Sequence, residues 1–311
     1  MRYYYRIYGL TIRSEMKFSE AEELEEQPYE VDVSYGTIPA NISEINRDQE
    51  VKGLLSADYK WFCYEQVGEF YIEKGNCIIA ALRPGTDEML VRSIILGPCF
   101  GSILYQRNIF AIHGSAMVRD DKAILICGGS GAGKSTVSTA LRQRGWLLLA
   151  DDTVAVTGEN GSLYADPAYP QQKLCLDTAL EFGLQPEQLI LINEERQKYA
   201  IRLKESFCSS KKKIHAMVCL EVSDGEQPVI DEVTGNAKLE YILKNLYSLY
   251  DYTSMGMNPA DFRRCIDLAG KLPICRVKRP PHLKALNQIV EGIMKWLGDI
   301  GDQEKEAVHS H

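Results

Sequence analysis

A glycine-rich loop between an apolar segment and a predicted helix constrains this 311-residue chain more than any other feature. The loop reads Gly128-Gly129-Ser130-Gly131-Ala132-Gly133-Lys134-Ser135-Thr136. It has the pattern G-x-x-x-x-G-K-[ST], and the apolar residues 123–127 lead directly into it. Such a strand, loop and helix form a nest of backbone N–H groups that can surround phosphate groups. The alternative is a plain strand–turn–helix with permissive glycines, but the flanking segments favour a nucleotide site.

Two side chains of the loop suit the phosphates and a metal ion. In this pattern Lys134 reaches the outer phosphates, and the Ser135 hydroxyl binds Mg²⁺. We therefore predict that residues 128–136 bind ATP together with Mg²⁺.

A pair of adjacent aspartates follows the loop at the distance of one strand–helix–strand unit. Residues 134–144 are predicted to form a helix that ends at Gly145, and the apolar residues 146–150 form a strand that leads to Asp151 and Asp152. Neighbouring side chains of a strand point to opposite faces, so both aspartates can serve one site only if the strand ends there. One carboxylate would then face Mg²⁺, and the other would accept the proton of an acceptor hydroxyl. A strand end capped by solvent is the alternative.

Composition limits the partners and the compartment. The formal net charge of -8 argues against nucleic acid, whose phosphates require basic surfaces. The nine cysteines have no C-x-x-C or metal-like spacing and, without a signal peptide, are typical of free thiols in the cytoplasm. The most apolar window, residues 89–105, is interrupted by Arg92, Gly97 and Pro98 and is shorter than the roughly 20 apolar residues of a membrane span. We predict two short buried helices there, a cytoplasmic protein, and neither a nucleic-acid nor a membrane partner.

The patterns divide the chain into three parts. Residues 1–105 carry strand signals, including the aromatic residues 3–8 and a hairpin over residues 69–82, and are predicted to form a small strand-rich domain. Residues 106–300 contain the loop, further strands and two apolar helical stripes that are predicted to be core. Residues 301–311 are polar and are predicted to be a disordered tail.

Four segments occur in a characteristic order and spacing, namely His113-Gly114, the loop over residues 128–136, and residues 144–146 and 149–154. Together they resemble the catalytic half of the HPr serine kinase/phosphorylase family. The resemblance implies an α/β (α+β) fold with a P-loop kinase domain of the type shared with ATP-dependent phosphoenolpyruvate carboxykinase. It also implies that Asp151 is the general base, that Asp152 is a metal-side acid, and that His113 orients groups near the reacting phosphate.

The overall layout is more similar to the HPr-kinase-like peptide-serine kinases encoded with ribosomal peptides, including lasso-peptide precursors. The shared features are the strand-rich front part, Tyr169-Pro170 and Lys198-Tyr199. Thr136 stands where the bifunctional enzymes often have a glutamate, and their second metal-side glutamate has only Asp177 and Glu181 as candidates here. Reversal of the reaction by phosphorolysis is therefore left open.

The sequence leads to one main hypothesis, an ATP-dependent kinase that phosphorylates a serine-type hydroxyl on a peptide or small protein. A kinase of a small metabolite such as free serine is the second hypothesis, and a non-catalytic nucleotide-binding regulatory protein is the third.

Three basic residues have two interpretations each. Lys198 and Arg202 fit either a phosphate contact or a solvated loop, and Arg276 fits either a charge-stabilising role or a surface ion pair. The sequence leaves open whether the protein is a homo-oligomer.

Overall fold

The computed structural model describes residues 1–45, 53–56, 58–185, 187, 189–193, 198–247 and 256–309. Over these residues the chain is a mixed α/β protein with two eight-stranded sheets and one three-stranded sheet. The α/β class predicted from the sequence is confirmed at this level.

The first sheet, called the front sheet below, has the strand order β3-β1-β2-β4-β8-β7-β6-β5. Its strands are β1 (Tyr3–Ile7), β2 (Leu10–Ser14), β3 (Glu23–Leu24), β4 (Val31–Tyr35), β5 (Gly53–Leu55), β6 (Tyr59–Tyr64), β7 (Gly68–Glu73) and β8 (Cys77–Leu82). Helix α1 (Ala40–Ile45) lies between β4 and β5 in the chain. The aromatic strand predicted at the start of the chain is β1, and the predicted hairpin is β7–β8.

A helical stretch connects the front sheet to the rest of the chain. It consists of α2 (Glu88–Ile94), one π-helical turn (Ile95–Cys99) that contains Pro98, and α3 (Phe100–Gln106). The wider turn accommodates a proline, which has no N–H to donate and whose ring would crowd a regular helix. By length and composition this stretch could cross a membrane, but 61% of its most apolar window is buried inside the protein. The two predicted short buried helices are therefore present, joined by a π-helical turn.

The second sheet, called the central sheet below, has the order β10-β9-β12-β13-β17-β19-β18, with β11 paired to β9 and an additional β10–β17 pairing. Its strands are β9 (Phe110–Arg119), β10 (Lys122–Gly128), β11 (Leu147–Ala150), β12 (Thr153–Glu159), β13 (Ser162–Ala165), β17 (Lys212–Val222), β18 (Val229–Val233) and β19 (Ile274–Arg279). Strand β9 is antiparallel to β10, β11 and β12, whereas β10 and β17 are parallel. The predicted strand–helix–strand unit is present, with β10 and β11 on opposite edges of β9.

The remaining elements are a small third sheet and further helices. The three-stranded sheet has the order β14-β16-β15. Its strands and the remaining helices are β14 (Gln171–Cys175), β15 (Ile190–Asn193), β16 (Lys198–Arg202), α4 (Lys134–Arg142), α5 (Leu176–Glu181), α6 (Ala237–Lys244), α7 (Pro259–Lys271) and α8 (Leu286–His309), with short 3₁₀ turns at Lys204–Ser206 and Leu283–Ala285.

Both apolar helical stripes pack in the core, as predicted. Leu239, Ile242 and Leu246 join a hydrophobic cluster that also contains front-sheet residues, while Ile289 and Val290 join a second cluster with α4. Leu249, which the sequence places on the first stripe, lies outside the described residues. The helices thus bury opposite faces of the central sheet.

The last helix differs from the sequence-based expectation. Residues 301–311 were expected to be a disordered tail, but α8 continues to His309. The segment that follows Gly301 is rich in Glu, Lys, Gln and Ala, which have high helix propensity and can extend a helix that is already anchored in the core.

Gly114 allows β9 to lie close to β10, and this gives a test of the fold. A Cβ at Gly114 would lie 2.7 Å from the carbonyl oxygen of Ile126 and 3.0 Å from the Sγ of Cys127. We expect Gly114→Ala to lower the free energy of unfolding by about 1–3 kcal/mol, measured by urea denaturation. Gly158→Ala is the control, because the nearest atom to its Cβ would be 4.0 Å away. Equal stabilities of the two variants would contradict this account of the β9–β10 packing.

Candidate active site

The glycine-rich loop lies where β10 ends and α4 begins. Gly128 has a φ of 144°, and a Cβ there would lie 2.5 Å from the carbonyl oxygen of Leu220 on β17. Only glycine combines this dihedral angle with so close a backbone approach. The N–H of Gly128 donates to Oδ1 of Asn245 at 2.9 Å, so the buried residue that ends α6 anchors the entrance of the loop.

Lys134, the first residue of α4, folds back over the loop. Its Nζ donates to the carbonyl oxygens of Gly128 at 2.7 Å and of Gly129 at 3.2 Å. Burial lowers the pKa of Lys134, while the negative charges of Asp152 and Asp151 act in the opposite direction. The ammonium group is therefore close enough to the aspartate pair for their charges to interact.

The aspartate pair lies in an irregularity between β11 and β12, which both run along β9. Asp152 has a φ of 71°, in the left-handed region, so the regular alternation of side chains is interrupted at this residue. Its carbonyl oxygen accepts the backbone N–H of Gly114 at 3.3 Å. The sequence argument required the strand to end at this point, and the structure meets that requirement with a kink.

Asp151 is buried and both of its carboxylate oxygens accept hydrogen bonds. Ser115 Oγ donates to Oδ1 at 2.6 Å, and the backbone N–H of Lys173 donates to Oδ2 at 2.8 Å. Burial raises the pKa of Asp151, and these two hydrogen bonds moderate the effect. The carboxylate of Asp151 is therefore protonated more readily than that of an aspartate in water.

Asp152 has the opposite electrostatic character, although it is the next residue. Its Oδ2 lies 2.9 Å from Nζ of Lys173, and its Oδ1 lies 3.7 Å from Nδ1 of His113. Burial opposes ionisation, but the Lys173 ammonium acts against it by its charge and its hydrogen bond, and the pKa of Asp152 lies well below its usual range. Asp152 therefore stays ionised at neutral pH.

His113, on β9, contacts the kink directly. Its Nδ1 lies 2.9 Å from the carbonyl oxygen of Asp152, and its backbone N–H donates to the carbonyl oxygen of Asn245 at 2.7 Å. Burial lowers the pKa of the imidazole, and the nearby Lys134 charge lowers it further. The ring is therefore neutral at neutral pH, with its Nδ1–H donating to Asp152.

Of the two late arginines on β19, the structure brings Arg279 rather than Arg276 to the loop. Arg279 donates from Nε to the carbonyl oxygen of Ala132 at 2.6 Å and from Nη2 to that of Gly131 at 2.8 Å. Arg276 pairs with Asp231 at 2.7 Å on the opposite face of the strand. The surface ion pair, one of the two alternatives for Arg276, is the arrangement observed.

The other predicted residues occupy more peripheral positions. The hydroxyl of Thr136 lies 3.3 Å from that of Thr178 on α5. Asp177 and Glu181 are exposed on the same helix. Lys198 lies on β16 near enough to Asp152 to help lower the pKa of that carboxyl, whereas Arg202 is exposed.

Sequence reasoning did not identify Lys173, Ser115, Asn245 or Arg279 as site residues. Their contacts join residues from 21 to 148 positions apart in the chain. Only Arg279 had a sequence signal, because it closes the basic segment at the end of β19.

The donor groups here suit a magnesium ion that arrives with a triphosphate. Asp152 supplies an ionised carboxylate, and Ser135 supplies a hydroxyl in the first turn of α4, both of them hard oxygen ligands. Among the residues that the structure describes, no group of three or more His, Cys, Asp or Glu side chains is arranged to hold a metal. Mg²⁺ often binds proteins in this way, through one or two side chains with the remaining ligands from phosphates and water.

Among known proteins, the matches are to solved structures. No protein-family model matches the chain, and no curated protein matches it in sequence. The Hpr(Ser) kinase/phosphatase from Coxiella burnetii is similar in structure, with 17% sequence identity and a TM-score of 0.35, over 65% of this chain and 99% of that chain. Function has to be inferred from the geometry of the site.

The contacts of Arg279 predict a local effect on the loop. We expect Arg279→Met to speed hydrogen exchange of the backbone amides of residues 129–134, because two loop carbonyls lose their guanidinium donor. Arg276→Met is a matched control on the same strand, because it removes contacts with Asp231 and Tyr241 and none with the loop. Exchange that is unchanged in the Arg279 variant would show that the guanidinium does not hold the loop.

The lowered pKa of His113 predicts a dependence of stability on pH. In the unfolded chain this histidine takes up a proton near its ordinary pKa of about 6.5, and in the folded protein it does so only at lower pH. The contribution of His113 to the free energy of unfolding is therefore fully present above the unfolded-state pKa. This contribution is lost as the pH falls through the folded-state pKa. We expect the metal-free wild type to lose stability between neutral and acidic pH more steeply than His113→Gln. Parallel curves for the two proteins would contradict the assigned shift.

Proposed function

We propose that the protein is an ATP-dependent kinase that transfers the terminal phosphate to a serine-type hydroxyl on a peptide or small protein. The observation that carries the proposal is that two adjacent aspartates with opposite pKa shifts lie close to the lysine of a phosphate-binding loop. Pairs of acids whose pKa values are driven apart are typical of sites that divide proton transfer and charge stabilisation. The type of fold would be that of HPr kinase and ATP-dependent phosphoenolpyruvate carboxykinase.

The two aspartates would have different tasks. Asp151, whose pKa is raised by burial, suits the transient acceptance of the proton from the acceptor hydroxyl. Asp152, whose pKa is lowered, suits a permanent negative charge beside a cation. His113 would hold the kink in place through its Nδ1–H, which keeps both carboxylates on the same side of β9.

The loop would bind ATP through backbone N–H groups of residues 128–136. Asp152 and the Ser135 hydroxyl would hold Mg²⁺, which neutralises charge on the phosphates when bound. Lys134 would exchange its present loop carbonyl partners for the outer phosphates, since its ammonium group already lies over the loop. Arg279 would keep two loop carbonyls turned away from the phosphates by occupying them.

The acceptor class rests on the resemblance of the sequence to peptide-serine kinases. A cytoplasmic location belongs to the same proposal, and all nine cysteines are free thiols, as a reducing compartment requires. A kinase of free serine and a nucleotide-dependent regulator are the competing functions.

The direct test is incubation of the purified protein with Mg²⁺, ATP and serine-containing peptides encoded beside its gene, with free serine in a parallel reaction. We expect a peptide to gain one phosphoryl group on serine, detected by mass spectrometry, and ADP to form in equal amount. Product only from free serine would favour the metabolite kinase, and nucleotide binding without any product would favour the regulator.

Asparagine variants separate the two aspartates in the same assay. We expect Asp151→Asn to reduce transfer by about 100-fold or more while ATP still binds, because the amide cannot accept the proton. Asp152→Asn should also weaken the dependence of nucleotide binding on Mg²⁺. Wild-type transfer rates in the Asp151 variant would remove this residue from the role of base.

A further inference from the structure

Lys173 makes contact with both members of the aspartate pair, using two different groups. Its backbone N–H donates to Oδ2 of Asp151 at 2.8 Å, and its Nζ donates to Oδ2 of Asp152 at 2.9 Å. The side chain is only 16% exposed. A buried ammonium group is stable in this position only because a carboxylate lies beside it.

The three-stranded sheet fixes Lys173 in this position. Strand β14 lies at the edge of that sheet and pairs with β16 in a register that sets Lys173 opposite Ala200. The neighbours Gln172 and Leu174 are fully buried on the other face of β14. The alternation of the strand therefore directs the Lys173 side chain toward the aspartates, and the edge position leaves its backbone N–H available to Asp151.

The charge of the pair explains why a built-in cation matters there. Two ionised carboxylates on adjacent residues repel each other, and a triphosphate would add further negative charge. Kinase sites commonly meet this with two divalent ions between the protein carboxylates and the phosphates. In this protein the Lys173 ammonium group already places one positive charge beside Asp152.

We propose that Lys173 is the resident cation of the phosphoryl-transfer site, bound to Asp152 in place of a second divalent ion, so that the reaction uses a single Mg²⁺. The inference rests on the proposed kinase function. Lys173 is a positioning residue, because it acts by holding the two carboxylates, and its backbone N–H continues to support Asp151 whatever the side chain is. Substitution of the side chain therefore isolates the effect of the charge.

The first test counts metal ions without requiring turnover. Mn²⁺ binding to the full-length protein is measured by electron paramagnetic resonance with a non-transferable ATP analogue present. We expect one Mn²⁺ per chain in the wild type. Two ions per chain in the wild type would overturn the proposal, even if no acceptor has been found.

The second test compares kinetics of Lys173→Met and Lys173→Arg with those of Lys212→Met. Lys212 forms an ion pair with Asp121 away from the loop, and its side chain is 19% exposed, close to the value for Lys173. We expect Lys173→Met to lower kcat by about 100-fold with a much smaller change in KM, as for loss of other preorganised charges. Lys173→Arg should recover part of the loss because it keeps the charge, and Lys212→Met should behave as the wild type.

The outcomes distinguish this inference from the proposed function. A wild type that neither binds ATP nor phosphorylates any acceptor contradicts both. An active wild type whose Lys173→Met variant keeps its kcat contradicts only the role of Lys173. Lys173→Met could fail to fold, which its thermal transition would reveal. In that case the Mn²⁺ count and the kinetics of the folded Lys173→Arg variant still test the proposed role of Lys173.

Discussion

The site depends on how β9 holds the segment from β11 to β12 across the kink at Asp152. A regular antiparallel strand would send the two adjacent carboxylates to opposite faces. The left-handed φ of 71° at Asp152, with its carbonyl oxygen bonded by Gly114 N–H and His113 Nδ1, prevents this and brings both carboxylates to Lys173. Positive φ at a residue other than glycine is costly, and it is retained here where surrounding contacts determine the backbone.

Two identical side chains therefore acquire different chemistry from their partners alone. Asp151 accepts hydrogen bonds from the uncharged Ser115 hydroxyl and a backbone N–H, so burial dominates and its pKa rises. Asp152 faces an ammonium group, so its pKa falls despite burial. Lys173 contributes to both environments, because its backbone N–H donates to Asp151 and its ammonium group donates to Asp152.

Local patterns in the sequence were sufficient to predict the elements that carry the site. The apolar run of β10, the glycine loop, α4 and the strand before the aspartates all follow from periodicity and turn chemistry over fewer than 30 residues. Lys173, Asn245 and Arg279 could not be predicted in this way, because strand pairing and helix packing bring them to the loop from distant parts of the chain. Alternation along β19 does place Arg276 and Arg279 on opposite faces, but only tertiary packing decides which face meets the loop.

The front sheet contacts the strands of this site through a shared hydrophobic core, and it contributes no side chain to the proposed chemistry. A single hydrophobic cluster includes Tyr5 and Ile12 of the front sheet together with Phe110 and Val154 of the strands that hold the aspartates. The backbone N–H of Tyr8 also donates to the carbonyl oxygen of Pro167 at 2.8 Å, just before β14 begins. Residues 105 and 106, where the boundary was predicted, lie in α3 between the last strand of the front sheet and the first strand of the central sheet, and the hydrophobic cluster extends across this position. Since β9 fixes the kink, the packing of the front sheet against β9 helps to set the geometry on which the chemistry depends.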